Sequence, residues 1–127
     1  MVRRSNHSRD EVHEPIELAL VRKAFDSGLS NCVMWKDDRT MRRIETDELD
    51  ETGLTATAVK KLTIEHVRNG GSIYQIKEKH QEYRIFHQFW YKILVSLNGI
   101  EKSLFVEAVL HDNDPDFPVV LLVNAHF

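Results

Sequence analysis

The stretch YRIFHQFWYKILVSLNGIEKSLFVEAVLH, residues 83–111, reads as two alternating runs on either side of an Asn98-Gly99 step. Alternation of period two is the signature of a half-buried β-strand, and Asn-Gly between two such runs is a strong hairpin signal. A two-residue type I′ turn pairs Leu97 with Ile100, and counting outward sets Ile93 against Leu104, Tyr91 against Val106 and Phe89 against Ala108. That face is apolar throughout and is expected to be the core face. The opposite face sets Leu94 against Ser103, Lys92 against Phe105, Trp90 against Glu107 and Phe86 against His111. A slip of one residue would bury Lys92 and Glu107, so the alternation decides which side faces inward.

Outward from this hairpin, residues 72–79 are expected to add a strand before it. Residues 119–126 (VVLLVNAH) are expected to add a final one, apolar on both sides and therefore central. Between them Asp112, Asp114 and Asp116 open like a calcium loop. Phe117 stands at the glycine position and Val123 at the chelating glutamate position, so a plain acidic turn is expected. Upstream, residues 15–27 predict a helix, with Pro15 at its first position, Glu17 at its positive end and Gly28 as its cap. Thr55 caps a second predicted helix closed by Gly70, with Leu54 stapled onto Val59 and a buried stripe of Val59, Leu62, Thr63, His66 and Val67. Residues 31–35 read as a possible short strand, 36–43 as a charged connection, and 45–51 as an acidic turn ending at Gly53. The expected fold is α+β: two N-terminal helices packed on a four-stranded, mainly antiparallel sheet, RelE-like in arrangement. Residues 1–13 are expected to form a disordered, polar N-terminal tail before a single domain over 14–127.

Composition narrows the function classes. A chain of 127 residues at 42% hydrophobic suffices for one core. A formal net charge of −3 supplies no global basic field, so any nucleic-acid site must be local. The single cysteine, Cys32, permits no internal disulfide or cysteine-based zinc site and reads as a buried hydrophobe. No apolar run approaches about 18 residues, and the polar start carries no leader-like segment, which points to a cytoplasmic protein without a membrane span. Walker, serine-elbow and His-Glu-x-x-His motifs are absent, and neither a cofactor nor a metal is expected.

What remains is a concentration of polar and aromatic groups along the strands. Trp90 and Phe86, on the non-core face with Arg84 and Lys92, are of the kind that stack bases while cations hold phosphates. His126 follows an apolar strand where a polar residue is out of place, and an imidazole, with an ordinary pKa of about 6.5, suits acid–base work in RNA cleavage. The plain alternative is a solvated sheet face with a terminal histidine.

The order of elements, with Ile73-Tyr74, 85–91 (IFHQFWY), 104–107 (LFVE) and 120–126 (VLLVNAH), resembles the RelE-like superfamily of bacterial RNase toxins. Within it the chain is most similar to the motility quorum-sensing regulator (MqsR) toxins. The resemblance implies a toxin-type endoribonuclease that needs no metal. It places the family's glutamine on Gln88 and its last-strand base on His126. The first-strand lysine position falls on Gln75, with Lys77 one alternation further on. The tyrosine position is Phe105, and Glu107 stands where a cation commonly follows. The expected catalytic set is Lys77 and Arg84 on the phosphate, His87 or His126 exchanging protons, Gln88 positioning substrate and Glu107 orienting a histidine or acting as base. Phe86, Trp90 and Lys92 are the expected substrate contacts. RNA is the expected substrate and an antitoxin protein the expected partner. A different class is also consistent with the residues: a non-catalytic interaction or homo-oligomerisation module using the aromatic face.

Overall fold

The computed structural model describes residues 13–84, 86–97 and 99–127. The expected tail, residues 1–13, lies outside the described residues except for His13.

Helix α1 (Pro15–Asp26) begins on its proline, carries Glu17 in its first turn, and is followed by Gly28 at φ +75°. It buries Val21, Ala24 and Phe25. Strand β1 (Val33–Trp35) follows, then α2 (Asp38–Asp47), a 3-10 turn (Asp50–Thr52) and α3 (Ala56–Arg68). Thr55 caps α3 by accepting from the Ala58 N–H at 3.1 Å. The remaining elements are β2 (Tyr74–Lys77), the single turn α4 (Gln81–Arg84), β3 (Phe89–Val95), β4 (Leu104–Asp112) and β5 (Val119–His126).

The sheet is five-stranded and mixed, in the order β1-β5-β4-β3-β2, with β1 parallel to β5 and the other pairs antiparallel. The expectation of four strands and two helices is therefore corrected twice. The three-residue β1 becomes an edge strand because Val33 and Trp35 bury against β5 and the Trp35 indole N–H donates to the Ala56 carbonyl at 2.8 Å. The segment expected as a charged connection is α2, capped by the Asp37 side chain accepting from the Thr40 N–H at 2.7 Å. Only Thr40 and Ile44 of α2 are buried, a stripe too narrow to stand out among its charges.

Helices α1, α2 and α3 cover one face of the sheet, and their Phe25, Ile44 and Val59 meet Tyr91, Ile93, Val106, Ala108 and Leu122 in one core. The expected core face of the hairpin is observed. Its register is not: Ile93 pairs with Val106 and Val95 with Leu104, two residues away from the two-residue-turn count. A turn closes at the expected place, with the Ile100 N–H donating to the Leu97 carbonyl at 3.2 Å and Gly99 at φ +78°. It caps a loop of residues 96–103 rather than joining the strands directly. A shift of two leaves every side chain on its face, so alternation cannot distinguish the two registers.

Candidate site on the open sheet face

The other face carries no helix. Its floor is built from alternate residues: Trp90, Lys92 and Leu94 of β3, Phe105, Glu107 and Val109 of β4, and Leu121, Val123 and His126 of β5. The β2–α4 segment rises beside it, leaving Tyr83 50% and Phe86 75% exposed. Part of this floor (Trp90, Glu107, Val109, Leu121 and Val123) lies under a groove of about 810 Å³, bounded by Glu78, His80, Tyr83 and His87 on one side and Lys36 on the other.

His126 reaches this face through a β-bulge. Ala108 pairs with Leu122 but Glu107 pairs with Asn124, so Val123 is an extra residue in β5. Strict alternation from Val120 and Leu122 would send His126 to the helix side. The inserted residue instead gives that side to the fully buried Ala125 and turns His126 outward. There the His126 Nε2 lies 2.9 Å from Glu107 Oε2, and the imidazole stacks on Phe105 with centroids 5.5 Å apart. Lys92, directly across from Glu107, holds its ammonium 4.4 Å above the same Phe105 ring. The bulge itself is fastened by α2: Arg43 donates to Asn124 Oδ1 at 3.3 Å, and Glu48 Oε1 accepts from the Phe127 N–H at 3.2 Å. A carboxylate, an imidazole, an ammonium and an aromatic plane from three strands thus form one cluster.

A second carboxylate–imidazole pair stands at the β2 side. Glu78 is only 8% exposed and holds His87 Nε2 at 2.9 Å through Oε1, while its Oε2 accepts from the His80 N–H at 3.3 Å. Burial pushes the Glu78 carboxyl up, but the His80 backbone donor and the His87 side chain outweigh it and hold it below the usual carboxylate value. Arg84 Nε donates to the Glu78 carbonyl at 3.0 Å, which fastens α4 to the end of β2. An ionised carboxylate can only accept, so the His87 Nε2 carries the proton and the ring orientation is set.

The residues expected from sequence are divided by the fold. Lys92, Glu107 and His126 gather around Phe105, and of these Glu107 lines the groove with Trp90, Phe86 and His87. Lys77 pairs with Phe89, in line with Gln75 and Tyr91, so it lies on the helix side of the sheet and does not join them. Gln88 and Arg84 line a second cavity of about 590 Å³ against α1, with Glu17 and His111, and Phe86 and His87 form the wall it shares with the groove. Gln75, at the resemblance's lysine position, is a structural clasp. Its Oε1 accepts from the His13 and Glu14 N–H groups at 2.8 and 2.7 Å, and its Nε2 donates to the Glu14 carbonyl and the Tyr91 hydroxyl at 3.0 Å each. Burial, with the nearby Glu17 carboxylate, drives the Tyr91 hydroxyl far above its usual pKa, so it stays protonated. Sequence reasoning missed Glu78, which reads as one charge in a solvated run; the His87 nine residues later was its only visible signal.

Among the described residues no three His, Cys, Asp or Glu side chains are grouped to hold a metal ion, and no helix is long and apolar enough to cross a membrane. Cys32 is buried, as expected. The acidic loop closes on itself through Asp112 and Asp114 side chains accepting from backbone N–H groups two residues on. No family model, curated protein or solved structure matches this chain.

Proposed function

We propose that the open sheet face is the working surface of a toxin-type, metal-independent endoribonuclease acting on single-stranded RNA. The observation that carries this reading is the Glu107–His126 pair at 2.9 Å, set beside the Lys92 ammonium and an aromatic plane. A general base needs an imidazole held in one orientation, and Glu107 holds it. The ring nitrogen away from Glu107 has only a long 3.4 Å contact to the Phe127 carbonyl and is the one a ribose hydroxyl meets.

In this reading the imidazole takes the proton from the 2′-hydroxyl as its oxygen attacks the adjacent phosphorus. The bond from phosphorus to the 5′ oxygen breaks, and the proton returns to that oxygen, leaving a 2′,3′-cyclic phosphate and a 5′-hydroxyl end. The Lys92 ammonium offsets the extra negative charge on the phosphoryl oxygens. Trp90 and Phe105 offer the faces on which bases stack. Positioned acid–base catalysis is worth about 10²–10⁴-fold. Purified protein is therefore expected to cleave single-stranded RNA in the presence of EDTA, and His126→Ala to lose at least about 100-fold. Intact RNA with the wild-type protein overturns the assignment. In cells, arrested growth on expression, relieved by His126→Ala, is the corresponding toxin readout.

A second reading is favoured by a different observation: Phe86 and Tyr83 stand exposed at the rim of a largely apolar groove. They suit a non-catalytic module that binds a protein, whether an antitoxin-like chain or a second copy. A mass by size exclusion that is monomeric for both wild type and Trp90→Ala removes the second-copy form of it.

A further inference from the structure

The two carboxylate–imidazole pairs stand on well-separated strand positions. Glu78 is level with Gln88, whose carbonyl accepts the Glu78 N–H at 2.8 Å, whereas Glu107 is level with Lys92. Four residues along a strand are about 13 Å and two strand spacings about 10 Å, so the two carboxylate-bearing positions are about 16 Å apart. The groove that contains both runs across the strands: it takes in Glu78 beside β2, Trp90 of β3, Glu107 of β4, and Lys36 just past β1. Four strand spacings make that span about 19 Å. Each end is marked by a nitrogen that can face a phosphate. At the β1 side it is the Lys36 ammonium. At the β2 side it is His87, whose Nε2 is held by the buried Glu78 and whose Nδ1 makes no hydrogen bond to any described residue.

We infer that this groove is an oligonucleotide track crossing the sheet, with Lys36 taking a phosphate at one end and His87, as an imidazolium with Nε2 donating to Glu78 and Nδ1 donating to the ligand, taking one at the other. The inference rests on the RNA reading and specifies the substrate: a single strand extending on both sides of the cut, not a dinucleotide. A stacked strand advances about 3.4 Å per nucleotide and an unstacked one roughly twice that, so about 19 Å takes about three to six nucleotides. Trp90, on the floor between the ends, stacks an intervening base. Glu78 is a positioning residue in this scheme, since it acts only through His87.

The test uses fluorescent 2′-deoxy oligonucleotides, which lack the attacking hydroxyl, and measures binding by anisotropy for a dinucleotide and a hexanucleotide. The wild-type protein is expected to bind the hexanucleotide at least about tenfold more tightly. Lys36→Ala and His87→Gln, the latter keeping a donor for Glu78, are each expected to lower that ratio about threefold, and the double variant to abolish it. Lys61→Ala, on α3 across the core, is expected to leave the ratio unchanged. Equal affinity for the two lengths, or a ratio untouched by the double variant, overturns the track while leaving the cleavage centre standing. No binding at either length by the wild type overturns both.

Discussion

Trp90 and Tyr91 are neighbours on β3, yet they answer to different physics. Tyr91 faces the helices, is fully buried, and closes its hydroxyl against Gln75. Trp90 faces the groove, half-buried, between two carboxylate–imidazole pairs. On the covered face the buried polar groups are few and consumed by the fold: Gln75 makes four hydrogen bonds, and Thr63 returns its hydroxyl to the Val59 carbonyl at 2.7 Å. On the open face polar groups are joined in twos, Glu78 to His87 and Glu107 to His126, and each imidazole keeps a nitrogen that no close hydrogen bond occupies. A face that must exclude water completes its hydrogen bonds internally; a face that meets a ligand leaves some open.

The sharpest way to break this comparison is to place the same charge on consecutive residues. Ile93→Lys puts an unpaired ammonium into the core and is expected to cost about 4 kcal/mol or more, enough to unfold a small domain. Leu94→Lys, one residue on and facing out, is expected to stay within about 1 kcal/mol. Equal losses in denaturant titrations would show that the open face is covered after all.

Next in size is the clasp. Gln75→Ala removes the acceptor of the His13 and Glu14 N–H groups and leaves the Tyr91 hydroxyl to Glu17, and is expected to cost about 2–3 kcal/mol. A loss below about 0.5 kcal/mol would mean that water replaces the amide without penalty and that this face is less dry than its burial indicates. Smaller again is the loop tip. A Cβ at Gly99 meets no atom within 4 Å, so the expected cost of about 1–2 kcal/mol for Gly99→Val is assigned to φ +78°. Strand register, read from cross-strand amide contacts by NMR, is expected to be unchanged in that variant, since packing on the covered face sets it.

The smallest effect separates two glutamates by sign. Glu17 has its pKa raised, first by burial and then by Glu14, so the stability it contributes is present below the ordinary carboxylate value of 4.5 and lost as pH rises through its higher folded value. Glu78 is lowered, so its contribution is present above 4.5 and lost as pH falls through its lower folded value. Unfolding free energy measured from pH 3 to 7 is expected to lose slope just above 4.5 in Glu17→Gln and just below it in Glu78→Gln. The same window moving in both variants would contradict the assignment of opposite signs.

Much of the covered face is legible in the residues. The alternation over 89–95 and 104–110 names its strands, Pro15 and Thr55 start two of its helices, and Gly28 and Gly53 end the elements before them. Helix α2 is not legible, because it touches the core at so few positions that its charges dominate the pattern. Nor is Glu78, since burial of a carboxylate between two lysines becomes visible only when α4 folds back and brings His87 to it.

What the sequence by itself determined is parity: a period of two assigns each strand residue to a face and is indifferent to displacement by two. The tertiary structure decided the rest of the sheet geometry. Packing against α1 and α3 selected Ile93 opposite Val106 rather than Leu104, and burial of Val33 and Trp35 docked β1 as a fifth strand. His126 shows the limit most clearly. Its parity follows Val120 and Leu122 toward the helices, and only the bulge at Val123, pinned by Arg43 and Glu48 of the α2 region, turns it to Glu107. Alternation is a local property of the chain, whereas an inserted residue is tolerated or not according to contacts made from far away in sequence.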